Sequence, residues 1–279
     1  MALIIGGGGQ LGSELVKLMP DALAPSREEL DLTDQAAIAD AVKGHNLVIN
    51  TAAFLRVDDC EDEREDAWRV NVEAVQHLAK SCAANDAKLV HISTDYVFGG
   101  QSERRPLEET NSPKPLNVYG ITKLAGEHAA LAYCPDALVV RSAGLYGFAG
   151  SREKGGNFVL TMLRVGRERD SLRVVDDQRL TPTFTTDLAA GILGAIRKEL
   201  RGPLHITNGG DCSWYEFAKA IFELADIEVT VEPIPSSEYP TKATRPPYSV
   251  LSNDRLHAAG VTPLRPWRDA LAAYLKDLP

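Results

Sequence analysis

From its amino terminus the chain alternates short strand-like runs with longer stretches whose apolar positions recur every three to four residues. The runs occupy residues 2–5, 21–24, 47–50, 88–93 and 137–142, and the helical patterns fall at 10–19, 33–43, about 64–84 and 119–132. Runs of this length bounded by amphipathic helices predict a sheet buried on both faces, and the β-α rhythm predicts right-handed crossovers between parallel strands. After residue 147 the rhythm weakens. "GFAGSREKGG" reads as a Gly-rich charged loop and "EPIPSSEYPTKATRPPYSV" is dense in Pro, with helices such as "SWYEFAKAIFELA" between them. Irregular stretches this long in an enzyme are commonly functional.

The first run ends in "IIGGGGQLGSE", four glycines joining a strand to a helix amino terminus. Free backbone N–H groups and the helix dipole make that junction a site for a pyrophosphate, and glycine lets the ligand approach the backbone. Two registers fit: Gly7, Gly9 and Gly12 as G-x-G-x-x-G, and Gly6, Gly9 and Gly12 at the wider spacing of short-chain dehydrogenases. The expected fold is therefore α/β, a doubly wound parallel Rossmann sheet with a smaller carboxyl-terminal substrate-binding lobe. Its dinucleotide-binding domain would span 1–150 with 177–207 returning to it, and the lobe would take 151–176 and 208–279.

An NAD site usually ends its second strand with an acid that holds the ribose 2′-hydroxyl. Here that place carries Ser26 and Arg27. A hydroxyl and a guanidinium suit a 2′-phosphate, which favours NADP (as NADPH) while leaving NAD possible. Arg27 also reads as a solvated charge opening a helix. Asp31 and Leu32 are candidates for the adenine pocket, Asp31 equally for a turn.

Composition narrows the partners. At 279 residues with 44% hydrophobic content the chain can bury a large core, and its formal charge of −9 argues against a nucleic-acid groove or an acidic membrane surface. The four cysteines show no C-x-x-C spacing and the histidines are scattered, so no metal site is expected. Strand-like sequence directly after Met1 and the lack of a long apolar stretch predict a cytoplasmic protein. The acidic run "DDCEDEREDA" reads as a solvated helix start.

The chemistry-bearing positions lie in "STDYVF" (93–98) after the fourth strand and "YGITK" (119–123) opening a helix. Tyr119 and Lys123 are four apart, so both side chains share a helix face, and Thr94 stands at a strand's carboxyl end. Reducing a ketone requires a hydride on one face and a proton at the oxygen. Tyr119 could give that proton if Lys123 lowers its pKa, while Lys123 also holds the nicotinamide ribose and Thr94 orients the carbonyl. Asn71 in "RVNVEA" reads as a supporting polar residue or a surface Asn, and Asp95 as a cap or turn residue.

Together, glycines 6, 9 and 12 with Gln10, "SREELD", "STDYVF", "PLNVYGITKLAGE", "NFVLTMLR" and "TRPPYSVL" resemble the dTDP-4-dehydrorhamnose reductase family of extended short-chain dehydrogenases, over nearly the whole chain. The resemblance implies NADPH-dependent reduction of the 4-keto group of a nucleotide-linked 6-deoxysugar by Thr94, Tyr119 and Lys123. It implies cofactor contacts at Gly6, Gly9, Gln10, Leu11, Gly12, Ser26, Arg27, Asp31, Leu32, Thr51, Ala52, Ala53, Asn71, Tyr119 and Lys123. Substrate contacts would fall on Phe54, Val57, Thr94, Tyr96, Asn157 and Arg245, with Arg245 a candidate for the diphosphate or for a loop-anchoring ion pair. The chain departs from the family at Gly144, where a Trp is usual, and at Phe54, Leu55 and Arg56, usually small and polar. Gly144 is expected to leave one side of the sugar pocket open, with Phe54 and Leu55 forming the wall instead. The expected protein is a monomer or homodimer. Other readings are a reductase of another nucleotide keto-deoxysugar, and a non-catalytic NADP-binding subunit resembling the β subunit of methionine adenosyltransferase.

Overall fold

The computed structural model describes residues 1–149 and 156–278; most of the Gly-rich charged loop lies outside the described residues. Five parallel strands form the central sheet: β1 (Ala2–Ile5), β2 (Leu47–Asn50), β3 (Lys88–Thr94), β4 (Leu138–Ser142) and β5 (Gly202–His205), paired in that order. The run at 21–24 is not a full strand. It touches the outer edge of β1 through one parallel bridge, Leu3 to Leu23, closed by Ile4 N donating to Leu23 O at 2.8 Å and Leu23 N donating to Ala2 O at 2.9 Å. Pro20 before it and Pro25 after it lack the N–H that a longer ladder needs.

From β1 the chain crosses first to this edge and then back to β2 on β1's other side, so the topology reverses at the carboxyl end of β1. A crevice forms where such a reversal occurs.

Alternating residues of the strands feed two cores, which is why the runs are apolar without a break. Leu3, Ile5, Val48, Leu89 and Val139 face one side, against helices α2 (Gln35–Val42), α3 (Ala74–Ala84) and α4 (Val118–Tyr133). Ile4, Ile49, Val90, Leu138 and Val140 face the other, against α1 (Gln10–Leu18) and α5 (Thr185–Arg197). The long helical pattern at 64–84 is continuous from Arg64 but opens into a π turn at Arg69–Glu73. A third core, built on Tyr146, Phe184, Phe217 and Tyr274, lies among the carboxyl-terminal elements, where Trp214–Leu224 starts from a Ser213/Glu216 capping box.

Candidate active site

The glycine junction is a cradle shaped by close approach. Gly6 has φ +80°, and a Cβ there would sit 2.7 Å from Thr51 Oγ1 and 2.9 Å from Ala52 N. A Cβ on Gly12 would overlap the Gly6 carbonyl, so the first turn of α1 packs directly on the end of β1. Gly7 is equally confined, a Cβ there lying 2.8 Å from Ala24 Cβ, so both glycine registers begin at a residue that has no room for a side chain. Gly9 is the N-cap residue and brings no side-chain cap, and the first turn carries no acid, so its N–H groups stay available to an anion. Thr51 braces the cradle by donating its hydroxyl to Ile5 O at 2.9 Å, and Ala52 and Ala53 follow it, half-buried. Leu11 is turned into the core beneath α1, while Gln10 at the helix start lies 3.4 Å from the amide nitrogen of Asn157.

At the outer edge, exposed Ser26 and Glu29 cap each other reciprocally: Ser26 N donates to Glu29 Oε2 at 2.8 Å and Glu29 N to Ser26 Oγ at 3.3 Å. Arg27 rides on this fixed turn, exposed. The Asp31 carboxyl is held low by hydrogen bonds from Thr33 and, more weakly, by the charge of Arg27. Leu32 packs against the core under α2.

The second half of the site begins where β3 ends. Thr94 closes the strand and caps a tight turn at Asp95–Val97, its hydroxyl accepting from Tyr96 N at 3.2 Å. Asn117 caps α4 by accepting from Gly120 N at 2.8 Å, and a Cβ on Gly120 would overlap the Tyr96 carbonyl. That close approach sets Tyr119 against the turn, its ring meeting Tyr96 edge to face at 5.6 Å between centroids. Burial pushes the Tyr119 phenol well above its ordinary value, and the Thr94 hydroxyl pulls it partly back. Lys123, 2% exposed, sends its Nζ to Ile92 O at 2.7 Å and to within 3.4 Å of His91 Nε2. Burial lowers it to about 8, opposed by the Glu127 carboxylate. The expectation that Lys123 depresses the Tyr119 pKa is not met here, because the amine is directed to β3 and burial dominates the phenol.

Asn71 sits in the π turn, 1% exposed, and its side chain is committed to the protein. Its Oδ1 accepts from Phe54 N at 2.9 Å, and its Nδ2 donates to Phe54 O and Thr122 Oγ1, both at 3.1 Å. It therefore pins the loop after β2, on which half-buried Phe54 and Val57 stand. Asn157 caps the helix Phe158–Glu168, and its Nδ2 also donates to Gly147 O at 3.0 Å, so it sits at the joint between lobe and sheet. Gly144 leaves no gap. Its φ is +55°, and a Cβ would already meet Leu180 Cδ1 at 2.8 Å, so the position faces packed side chain and the open-pocket expectation is corrected.

Four residues carry more than their sequence context suggested. Asp58, in the acidic run, holds Arg245 Nη2 at 2.6 Å and accepts from Ala243 N at 3.0 Å. Glu61 accepts from Val118 N at 2.9 Å and Asp62 pairs with Lys242, so the run ties down the segment 242–245 and the start of α4, while Asp62, Glu63, Glu65 and Asp66 remain exposed as expected of a solvated helix start. Asp95, read as a turn residue, is 3% exposed and bridges Thr94 Oγ1 at 3.1 Å to Ser249 Oγ at 2.5 Å. The links from Asp58 to Arg245 and from Asp95 to Ser249 each span more than 150 residues, and only the first had a signal in the sequence, the opposite charge of its two segments.

Among the described residues no cluster fit to hold a metal occurs and no helix is long and apolar enough to cross a membrane. The sequence profile described as the RmlD substrate binding domain matches residues 1–279. The dTDP-4-dehydrorhamnose reductase of Mycolicibacterium smegmatis is 43% identical over 276 residues, covering 96% of this chain and 83% of that one. The crystal structure of a dTDP-4-dehydrorhamnose reductase from Clostridium acetobutylicum superposes with a TM-score of 0.93 at 39% identity, covering 99% and 98% of the two chains. The Bacillus anthracis reductase, solved in complex with NADP, gives a TM-score of 0.93 at 35% identity over 99% of this chain and 98% of its own. Sequence profile, curated relatives and superposed structures agree over the full length, and the chain belongs to the dTDP-4-dehydrorhamnose reductase family.

Proposed function

We propose that this protein is an NADPH-dependent oxidoreductase that reduces the 4-keto group of a nucleotide-linked 4-dehydro-6-deoxysugar, with dTDP-4-dehydrorhamnose as substrate and dTDP-L-rhamnose as product. The observation that carries the reading is the convergence of Thr94, Tyr119 and Tyr96 at the carboxyl end of β3, on the same sheet edge as the Gly6–Gly12 cradle. The residues present fit the cofactor. The cradle is one a Cβ would fill, the uncapped first turn of α1 suits a pyrophosphate, and Ser26 and Arg27 offer a hydroxyl and a guanidinium where an acid would exclude a 2′-phosphate.

When bound, the nicotinamide supplies the hydride for the carbonyl carbon. Tyr119 holds the proton for the carbonyl oxygen: its raised pKa keeps the phenol neutral and loaded at neutral pH. Thr94 orients the carbonyl through its hydroxyl. Ketone, hydride and one proton together give the alcohol, and Tyr119 is reloaded from solvent.

Arg245 takes the diphosphate in this reading. Its Nη2 is tied to Asp58, whereas Nη1 is buried with no hydrogen-bond partner, a cationic donor to which an anionic oxygen would bring a strong charge-assisted bond. A relative from Streptomyces niveus, 39% identical, is named a dTDP-4-keto-6-deoxy-D-glucose reductase, so the ring substituents accepted are a separate question from the chemistry. The test compares kcat/KM for several dTDP-linked 4-keto-6-deoxysugars. A preference for dTDP-4-dehydrorhamnose supports this assignment; turnover of other sugars alone moves the protein to a different substrate with the same reaction.

A further inference from the structure

His91 lies on β3 with 0% exposure, between the loop that closes the glycine cradle and Lys123. Burial, reinforced by the neighbouring lysine, drives it well below its ordinary pKa, so it is neutral and offers one donor and one acceptor nitrogen. Its surroundings decide which is which. Asn50 Oδ1 is occupied by Ala52 N at 3.1 Å, so the group Asn50 presents to His91 Nδ1, at 3.2 Å, is its Nδ2 donor. Nδ1 must then accept, and the ring proton sits on Nε2, facing Lys123 Nζ at 3.4 Å.

An ammonium at Nζ would oppose this N–H with one of its own. A neutral amine fits: one hydrogen goes to Ile92 O at 2.7 Å and the lone pair faces Nε2–H. The other charged or titratable groups around the amine are Glu127, one turn along α4 and already bound to Arg141 and Ser93, and Tyr119, one turn back.

We propose that His91 is a positioning residue that, through the relay Asn50 to His91 to Lys123, favours the neutral amine of Lys123 over its ammonium in the cofactor-free protein. The relay starts at Ala52, whose backbone nitrogen also lies beside Gly6 in the glycine cradle. Its weight in catalysis rests on the reduction proposed above; its existence does not.

The experiment is 15N NMR of the cofactor-free protein labelled at His and Lys, with Lys123 Nζ assigned by its loss in Lys123→Met. The expected wild-type result is His91 protonated at Nε2 and bare at Nδ1, and a Lys123 midpoint near pH 8. In His91→Gln, whose Oε1 can accept from an ammonium, the midpoint should rise by about one pH unit or more. A purely structural histidine would leave it unchanged. His91 protonated at Nδ1, a wild-type Lys123 still charged well above pH 9, or a midpoint unmoved in His91→Gln each overturns the relay. If His91→Gln does not fold, the wild-type tautomer and midpoint decide alone. No cofactor or substrate enters the measurement, so its failure leaves the proposed reduction standing, and absent turnover leaves the relay standing.

Discussion

Asp58 holds the guanidinium of Arg245 through Nη2 at 2.6 Å, and the same guanidinium keeps Nη1 buried without a partner. One residue thus both fixes the arginine and leaves half of it for a ligand. Asp58→Ala should free Arg245 and loosen the segment 242–245, raising KM for the nucleotide sugar about tenfold, the scale of one charge-assisted hydrogen bond, with kcat largely kept. Steady-state kinetics checks this. A change in kcat alone would mean that the pair serves the chemistry and not binding.

Cofactor choice should rest on the turn at 26–30. Arg27→Ala is expected to weaken NADPH binding by about 1–3 kcal/mol and leave NADH nearly unchanged, because only the former carries the 2′-phosphate. Titration calorimetry with both cofactors measures it. Equal losses would show that Arg27 does not read the phosphate.

Asp95 gives a pH signature. Burial raises its carboxyl from 3.8 to about 6, against hydrogen bonds from Ser249 and Thr94. The folded state therefore favours the protonated form: its contribution is complete below pH 4 and is lost as pH rises through 6. Between those limits wild type should lose about 3 kcal/mol relative to Asp95→Asn. Urea melts of both proteins across that range measure the difference, and parallel curves would show that Asp95 titrates normally.

Behind the site, Arg141 and Glu127 form a buried ion pair at 2.6 Å, with side chains 4% and 2% exposed, and Glu127 also accepts from Ser93. Arg141→Leu leaves that carboxylate unpaired and should cost about 3–5 kcal/mol. Removing both charges in Arg141→Leu/Glu127→Leu should recover much of the loss, which chemical denaturation of the single and double variants would measure.

Much of this arrangement is local and was legible in the sequence. The strand–glycine–helix junction, the Thr94 turn and the Tyr119–Lys123 spacing are each set by neighbouring residues, and the structure places them as their spacing predicts. What was not legible depends on chain returning from far away. The ties that the largely exposed acidic run makes could not be read locally, because its partners, Lys242 and Arg245, lie some 180 residues on. Gly144 looked like a gap because its left-handed φ and the approach of Leu180 are tertiary facts. The direction of Lys123 likewise depends on His91, which no spacing rule connects to it.

In the reduction proposed above, Tyr119 gives the proton while the cofactor site holds NADPH. Stopped-flow oxidation of NADPH by dTDP-4-dehydrorhamnose, in wild type and Tyr119→Phe, tests it most directly. The rate in Tyr119→Phe should drop about 10²–10⁴-fold, with NADPH affinity essentially intact, as expected for loss of a general acid. Near wild-type turnover in Tyr119→Phe would contradict it.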